Sequence, residues 1–318
     1  MSITEPTERV FLTGGGGAGT LAAAKALRRL GYHVILGDAD PWVTRLPFAD
    51  TWVVLPPAEA PEYVDVLERT LRDEAVGVFV PLIDEELPHL EKLAHLLPHL
   101  IILAPRQGFI QTVRDKWLLI NVLEKHGLSA PRTVLAAGKE LRWVNYPAVV
   151  KPRIGRGSRG VAVVENAMAL EGYLLFCGQR FGELLVQEKL TGVEYTITTL
   201  VDREGQLIAV IPKEIIRKRG ITQVAVTRRD SAIEDLCRAI QDRLRADGPF
   251  NVQLVMTTKG PVVFEINPRF STTIALDIDA GVNGIDALIR GAKHGVGWMT
   301  FRPGTVMLRH WDHVSWVE

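Results

Sequence analysis

Hydrophobic positions in the first hundred residues fall in short runs: VFLT (10–13), HVILGD (33–38), WVVLP (52–56), GVFVPLI (77–83) and LIILAP (100–105). Each is strand-length and bounded by turn residues, whereas between them apolar residues recur every three or four positions over 19–31, 60–74 and 84–97, the spacing of one helical face. Apolar strands alternating with amphipathic helices predict a parallel sheet covered on both sides, an open α/β domain ending near Pro105. A helical connector over 109–127, stopped by Gly127, follows.

Beyond residue 130 the pattern changes to β-branched runs with hairpin punctuation. Strands are predicted over 147–152, 160–166, 183–190, 194–212 and 221–230, the fourth folding back on itself at 202–206. A helix over 231–246 leads into 250–270, a second hairpin turning at 257–260. A helix over 283–293 and a β-rich tail over 306–317 close the chain. This half is antiparallel α+β, a different architecture from the first.

Composition narrows the function classes. With 318 residues, 47% of them hydrophobic, the chain can bury a sizeable core, and 37 Lys+Arg against 37 Asp+Glu leave no net charge to attract nucleic acid or an anionic membrane. Cys177 and Cys237 are too few for a disulfide framework or a thiolate metal site. The N-terminus lacks a signal-peptide core, and no apolar stretch approaches the ~20 residues of a membrane span. The expectation is a soluble cytoplasmic protein with small-molecule partners.

Against that neutral balance, VVKPRIGRGSRGV (149–161) is conspicuous: Lys151, Arg153, Arg156 and Arg159 among three glycines, directly after a strand. A glycine loop exposes backbone N–H groups and the cations neutralise phosphate, so the stretch suits a triphosphate; it is not a Walker A loop, because no G-K-[ST] opens a helix. A solvated basic hairpin or a nucleic-acid patch is the alternative. In VVFEINPRF (262–270), strand alternation projects Glu265 and Asn267 to one face, with Phe264 and Ile266 facing the core. Gln253, in the partner strand, lies across the hairpin, and this oxygen set suits Mg²⁺ sharing its remaining ligands with phosphates. Arg269 follows, placed to stabilise charge on a transferring phosphoryl group. In LLVQEKLTGVEYTI (184–197), Gln187 and the backbone of 188–190 can read an adenine edge while Glu194 bonds ribose hydroxyls, or Glu194 is an ordinary exposed acid.

GGGGAGT (14–20) satisfies G-x-G-x-x-G at Gly14, Gly16 and Gly19, with Asp38 at the end of the second strand. Taken literally this binds NAD(P); open α/β domains also need a tight glycine turn there with no dinucleotide. Lys213, Arg217, Lys218 and Arg219 are candidates for a substrate anion, and Asp84 or Glu85 for a substrate amine. His310 and His313, three apart in an expected strand, point to opposite faces and do not share a metal. Trp298, Trp311 and Trp316 read as core or interface residues.

Together TGGGGAGT, RDKW with Lys116, VVKPRIGRGSRGV, VQEKLTGVEYT, FNVQLV and FEINPRFS resemble, in order, the ATP-grasp superfamily, within it the carbamoyl-phosphate-synthetase-like carboxylate-amine ligases. The resemblance implies a Rossmann-like pre-ATP-grasp domain (1–105), then an ATP-grasp domain (106–318) made of a lid subdomain (about 130–187) and a C-terminal antiparallel-sheet subdomain (about 188–318). It implies that Lys116 and Lys151 hold ATP phosphates, with Arg156, Gly157, Ser158, Arg159 and Gly160 in a mobile lid loop. Gln187, Glu188 and Leu190 would line the adenine pocket, with Glu194 on the ribose. Glu265 and Asn267 would bind Mg²⁺ (or Mn²⁺) with Gln253 accessory, and Arg269 would meet the γ-phosphate and an acyl phosphate. The implied activity is an ATP-dependent ligation of a small carboxylate, such as an amino acid, to an amine or ammonia; a homodimer is plausible by analogy alone. Thr272 stands where synthetases of the carbamoyl phosphate type carry a further arginine, which weakens bicarbonate as substrate. An NAD(P)-dependent oxidoreductase and a nucleotide-binding regulatory module without turnover are the alternatives.

Overall fold

The computed structural model describes residues 8–137, 141, 144–155, 157–177, 183–310 and 313–315. Five parallel strands, β1 (Arg9–Thr13), β2 (His33–Asp38), β3 (Thr51–Val54), β4 (Val78–Val80) and β5 (Ile101–Ile102), form a sheet in the order β3-β2-β1-β4-β5. Helices α1 (Ala18–Arg29), α2 (Tyr63–Asp73) and α3 (Leu90–Leu96) cover it. Each predicted strand and helix of this half is present, because its central strands are buried on both faces and read as unbroken apolar runs.

The connector differs from its prediction. It is two helices, α4 (Gln107–Arg114) and α5 (Lys116–Lys125), broken at Asp115, whose backbone is extended (φ −85°, ψ 103°). Asp115 is the N-cap of α5: its carboxylate accepts from the backbone N–H groups of Trp117 (3.0 Å) and Leu118 (3.1 Å). The apolar spacing continues through the break, so periodicity alone does not register it.

A small antiparallel sheet follows, β6 (Thr133–Leu135), β7 (Ala148–Pro152), β8 (Ala162–Val164) and β9 (Leu184–Glu188), ordered β6-β9-β7-β8 and flanked by α6 (Ala167–Cys177). The pattern did not predict β6 or α6. Helix α6 reads AMALEGYLLFC and is apolar all round: Leu170 and Cys177 are buried while Met168, Leu175 and Phe176 are exposed, so it has no periodic face to detect.

The last layer is a six-stranded antiparallel sheet of β10 (Val193–Val201), β11 (Leu207–Arg219), β12 (Ile221–Thr227), β13 (Phe250–Thr257), β14 (Gly260–Asn267) and β15 (Val306–Leu308), ordered β14-β13-β10-β11-β12-β15. Helices α7 (Ser231–Leu244), α8 (Ile274–Asp279) and α9 (Gly284–His294) pack around it; α8 was not anticipated, and among the described residues of the β-rich tail only the three of β15 form a strand. One face of this sheet, with Ile197, Val210, Val252 and Leu254, closes a core with α7 and α5. The opposite face carries Leu200, Ile208 and Ile211 into a core shared with Val10, Leu12, Val34 and Leu36 of the parallel sheet. The two halves are therefore joined by a common apolar interior. At its upper edge Gly19 of α1 lies so close to the loop after β14 that a Cβ there would sit 2.9 Å from the Thr272 Cα. Only a glycine permits that approach.

Candidate functional site

The site grows out of an irregularity in the β13–β14 hairpin. Asn251 pairs with Asn267 and Gln253 with Glu265, as alternation requires, but Leu254 then pairs with Val263, leaving Phe264 with no partner across the ladder. A bulge of this kind inserts one residue and turns its side chain out of phase. Ile266 stays in the core as predicted (1% exposed), whereas Phe264, expected beside it, faces the cavity together with Glu265.

Above this floor the ammonium of Lys151, on β7, donates to the Phe264 carbonyl oxygen (3.1 Å) and to Gln187 Oε1 (2.9 Å), and lies 5.7 Å over the Phe264 ring. Gln187 is itself fixed, its Nε2 donating to Thr133 Oγ1 (2.8 Å). Lys151 is 4% exposed. Burial lowers its pKa to about 8, opposed by the nearby charge of Glu265 and assisted by that of Lys116. Lys116, the first residue of α5, donates to the Gly155 carbonyl (2.7 Å) and stands 3.8 Å from Glu265 Oε1. Its place follows from the Asp115 cap, which Arg153 grips in turn with Nε 2.9 Å from both carboxylate oxygens. Although burial favours the neutral acid, hydrogen bonds from Arg153 and from the amides of Leu118 and Trp117 hold the Asp115 carboxyl below its usual range.

Lys116, Lys151, Gln187, Glu188, Leu190, Glu194, Gln253, Glu265, Asn267 and Arg269 all line one cavity of about 360 Å³, together with Gly157, Ser158 and Arg159 of the glycine loop. Ser158 and the glycines at 157 and 160 adopt positive φ, which turns the loop tightly. Arg156 lies outside the described residues. Glu194 is ion-paired with Lys218 (2.6 Å), and the Glu188 carboxylate accepts from the Arg132 amide (3.0 Å). Glu265 contributes a carboxylate, and Asn267 and Gln253 contribute amide oxygens. That donor set fits a hard cation sharing ligands with phosphates; no group of three or more His, Cys, Asp or Glu suited to a metal occurs among the described residues.

Arg269 makes a fork with Asp84, Nε to Oδ1 at 3.0 Å and Nη2 to Oδ2 at 2.6 Å, tying the loop after β14 to the loop after β4. It also marks a junction. Arg269, Ser271 and Thr272 line both the first cavity and a second, of about 400 Å³, whose other walls are the glycine turn (Gly14, Gly17, Gly19), Asp38, Glu59 and Glu85.

Several proposed residues lie elsewhere. Lys213 is fully buried, its ammonium 2.6 Å from both Asp277 Oδ1 and Thr198 Oγ1, so it holds α8 to the sheet and does not face a ligand. Arg217 and Arg219 are exposed. The strand expected to carry His310 and His313 ends at Leu308. Trp298, expected in the core or an interface, is exposed with the Arg238 guanidinium over its ring, and Trp311 and Trp316 lie outside the described residues.

Two residues near the site escaped sequence reading. Arg309, following β15, donates to the Thr222 and Thr272 carbonyls, both residues of the first cavity's lining, and burial lowers its pKa. It therefore brings a cation to the segment that lacks an arginine of its own, and only the tertiary fold reveals this. Glu86, wholly buried, accepts from Thr13 Oγ1 (2.6 Å), Tyr63 Oη (2.5 Å) and the Ile83 amide (2.9 Å). Burial pushes its carboxyl up to about 7, and its bonds set the loop that presents Asp84 and Glu85.

Comparison with known proteins bears on the two halves of the chain and on the fold. Residues 11–97 match the family model of the PylC-like N-terminal domain, and residues 180–310 match that of ATP-grasp proteins in the biosynthetic pathway with the Ter operon. The chain thus matches an ATP-grasp family model over the larger part of its second half and a PylC-like model over its first. Similar solved structures include an L-amino acid ligase from Bacillus licheniformis (19% identity, TM-score 0.71, covering 92% of this chain and 76% of that one). An N5-carboxyaminoimidazole ribonucleotide synthetase from Thermotoga maritima shares 20% identity (TM-score 0.70; 93% and 78% covered). Biotin carboxylase from Campylobacter jejuni, in complex with β,γ-ATP, shares 16% (TM-score 0.72; 95% and 74%). At these identities the likeness is one of fold. No helix among the described residues is long and apolar enough to cross a membrane.

Proposed function

We propose that the protein is an ATP- and Mg²⁺-dependent ligase that joins a small carboxylate to an amine through an acyl phosphate. The observation that carries this reading is the joining of two cavities at Arg269: one holds two buried lysines beside a carboxylate–amide pair, and the other opens between the two halves of the chain. Lys116 and Lys151 would hold ATP phosphates under the 155–160 loop. Gln187, Glu188 and Leu190 would border the adenine and Glu194 the ribose. Glu265 and Asn267, with Gln253, would hold Mg²⁺ (Mn²⁺ as substitute), which would neutralise phosphate charge. The division into a first domain ending near 105 and an ATP-grasp domain beyond it belongs to the same proposal.

In this reading a carboxylate oxygen attacks the γ-phosphorus, the bond to the ADP oxygen breaks, and Arg269 and Arg309 balance charge on the acyl phosphate. The amine nitrogen then attacks the acyl carbon, loses a proton, and displaces phosphate. Closure of the glycine loop would exclude water that hydrolyses the intermediate.

ADP and phosphate release should depend on a particular carboxylate–amine pair when the purified protein is screened with Mg²⁺-ATP against pooled amino acids and small carboxylates, with and without ammonia. Lys151→Ala and Glu265→Ala should abolish it while leaving the protein folded; wild-type turnover in either would sink this assignment of the site. ATP binding without release across the panel would favour the regulatory-module reading. The dinucleotide reading is disfavoured by the glycine turn itself, since Thr272 packs against Gly19 and the Asp38 carboxylate accepts from the Gly16 (2.9 Å) and Asp40 (3.0 Å) amides.

A further inference from the structure

We propose, resting on the ligase reading above, that the amine substrate carries a second positive charge, as in a diamine or basic amino acid, and that the wall of the second cavity formed by the first half of the chain selects it. The two joined cavities differ in sign. The first is lined by Lys116, Lys151, Arg159, Lys189 and Lys218 against Glu188, Glu194 and Glu265. The second is lined by Asp38, Glu59 and Glu85, and its one lining cation among the described residues is Arg269, which forks onto Asp84.

The three acids are not neighbours on one solvated helix. Asp38 ends β2, Glu59 lies in the loop after β3 and Glu85 in the loop after β4, so three separate segments at the carboxyl end of the parallel sheet bring them to one wall, where open α/β sheets place ligands. Asp38 is held in place by the Gly16 and Asp40 amides, and Glu59 is exposed. A cavity of about 400 Å³ has room for a molecule of amino-acid size. A substrate entering there meets negative charge on the wall and positive charge at the junction. A neutral amine gains nothing from that wall, and an acidic one is repelled.

The test separates the amine from the activation step. Hydroxylamine is first used to trap an acyl phosphate, so that hydroxamate formation identifies the carboxylate and reports activation whichever amine is preferred. With that carboxylate, lysine, norleucine and glutamate are compared as amines. Lysine should exceed norleucine in kcat/KM by about tenfold or more, with glutamate poorest. Glu59→Lys and, separately, Asp38→Asn should cut the lysine preference by about tenfold through KM for the amine, with KM for ATP little changed. Hydroxamate formation accompanied by equal use of norleucine or glutamate, or a lysine preference unaltered in both variants, overturns the inference and leaves the ligase reading intact. Absence of hydroxamate with every carboxylate overturns the ligase reading, and the inference with it.

Discussion

At the scale of single residues, Lys151 has the clearest consequence. Its ordinary pKa is 10.5 and burial brings it to about 8, so between those values the unfolded chain holds a proton that the folded protein has released. Its contribution therefore makes the ligand-free protein more stable as pH rises from about 8 towards 10.5, and its full cost is felt below that window. A triphosphate placed against it restores the charged form. Nucleotide binding at pH 8 to 9 should then take up a proton, seen by calorimetry as a binding enthalpy that changes with the ionisation heat of the buffer, and the effect should vanish in Lys151→Met. Among residues, charge was legible in the chain, which marks out Lys151 and Glu265 by themselves, whereas Lys116 is marked only by the resemblance that RDKW carries. The mutual arrangement was not: Arg309 reaches the site from 37 residues beyond Thr272, and that meeting exists only in the folded molecule.

At the scale of elements, the break at Asp115 decides where Lys116 points. Asp115→Ala removes the cap of α5 and the partner of Arg153 together, and should cost about 1–2 kcal/mol in chemical denaturation. Asp115→Asn keeps a capping oxygen and should recover most of the cap term without the charge of the Arg153 pair. Weaker ATP binding in Asp115→Ala than in Asp115→Asn would show that Lys116 depends on the cap; equal affinities would show that it does not. The parallel sheet was readable because its apolar runs fill complete strands. Helix α6 was not, because it has no polar face. The bulge at Phe264 was not either, because alternation counts residues and assumes an unbroken ladder. That miss matters, since the unpaired residue presents the carbonyl that Lys151 binds and brings Phe264 onto the same side as Glu265.

At the scale of the whole molecule, the change from apolar α/β runs to antiparallel hairpins marked two architectures, and both are present. What the pattern withheld is how they meet, since a strand residue such as Leu200 or Ile211 looks the same whether it faces its own helices or a neighbouring sheet. Both enter the interior shared with Val10, Leu12, Val34 and Leu36, whereas Val134, Val150, Leu170 and Val186 of the small sheet form a cluster of their own. On the proposed ligase reading, the motion that would admit nucleotide falls to the small sheet and its glycine loop, because the two large sheets share one interior.

That shared interior also governs what happens if the polypeptide is divided. Fragments 1–105 and 106–318, produced separately, would each expose one side of a common apolar surface, so neither should give a cooperative melt alone. Mixed or co-expressed, they should reassemble into a heterodimer with a single transition, whereas independent folding of the first fragment would show that the surface is dispensable to it. The protein should thus behave as a ready-made split pair, in which recovery of the proposed nucleotide site reports that two separate chains have found each other.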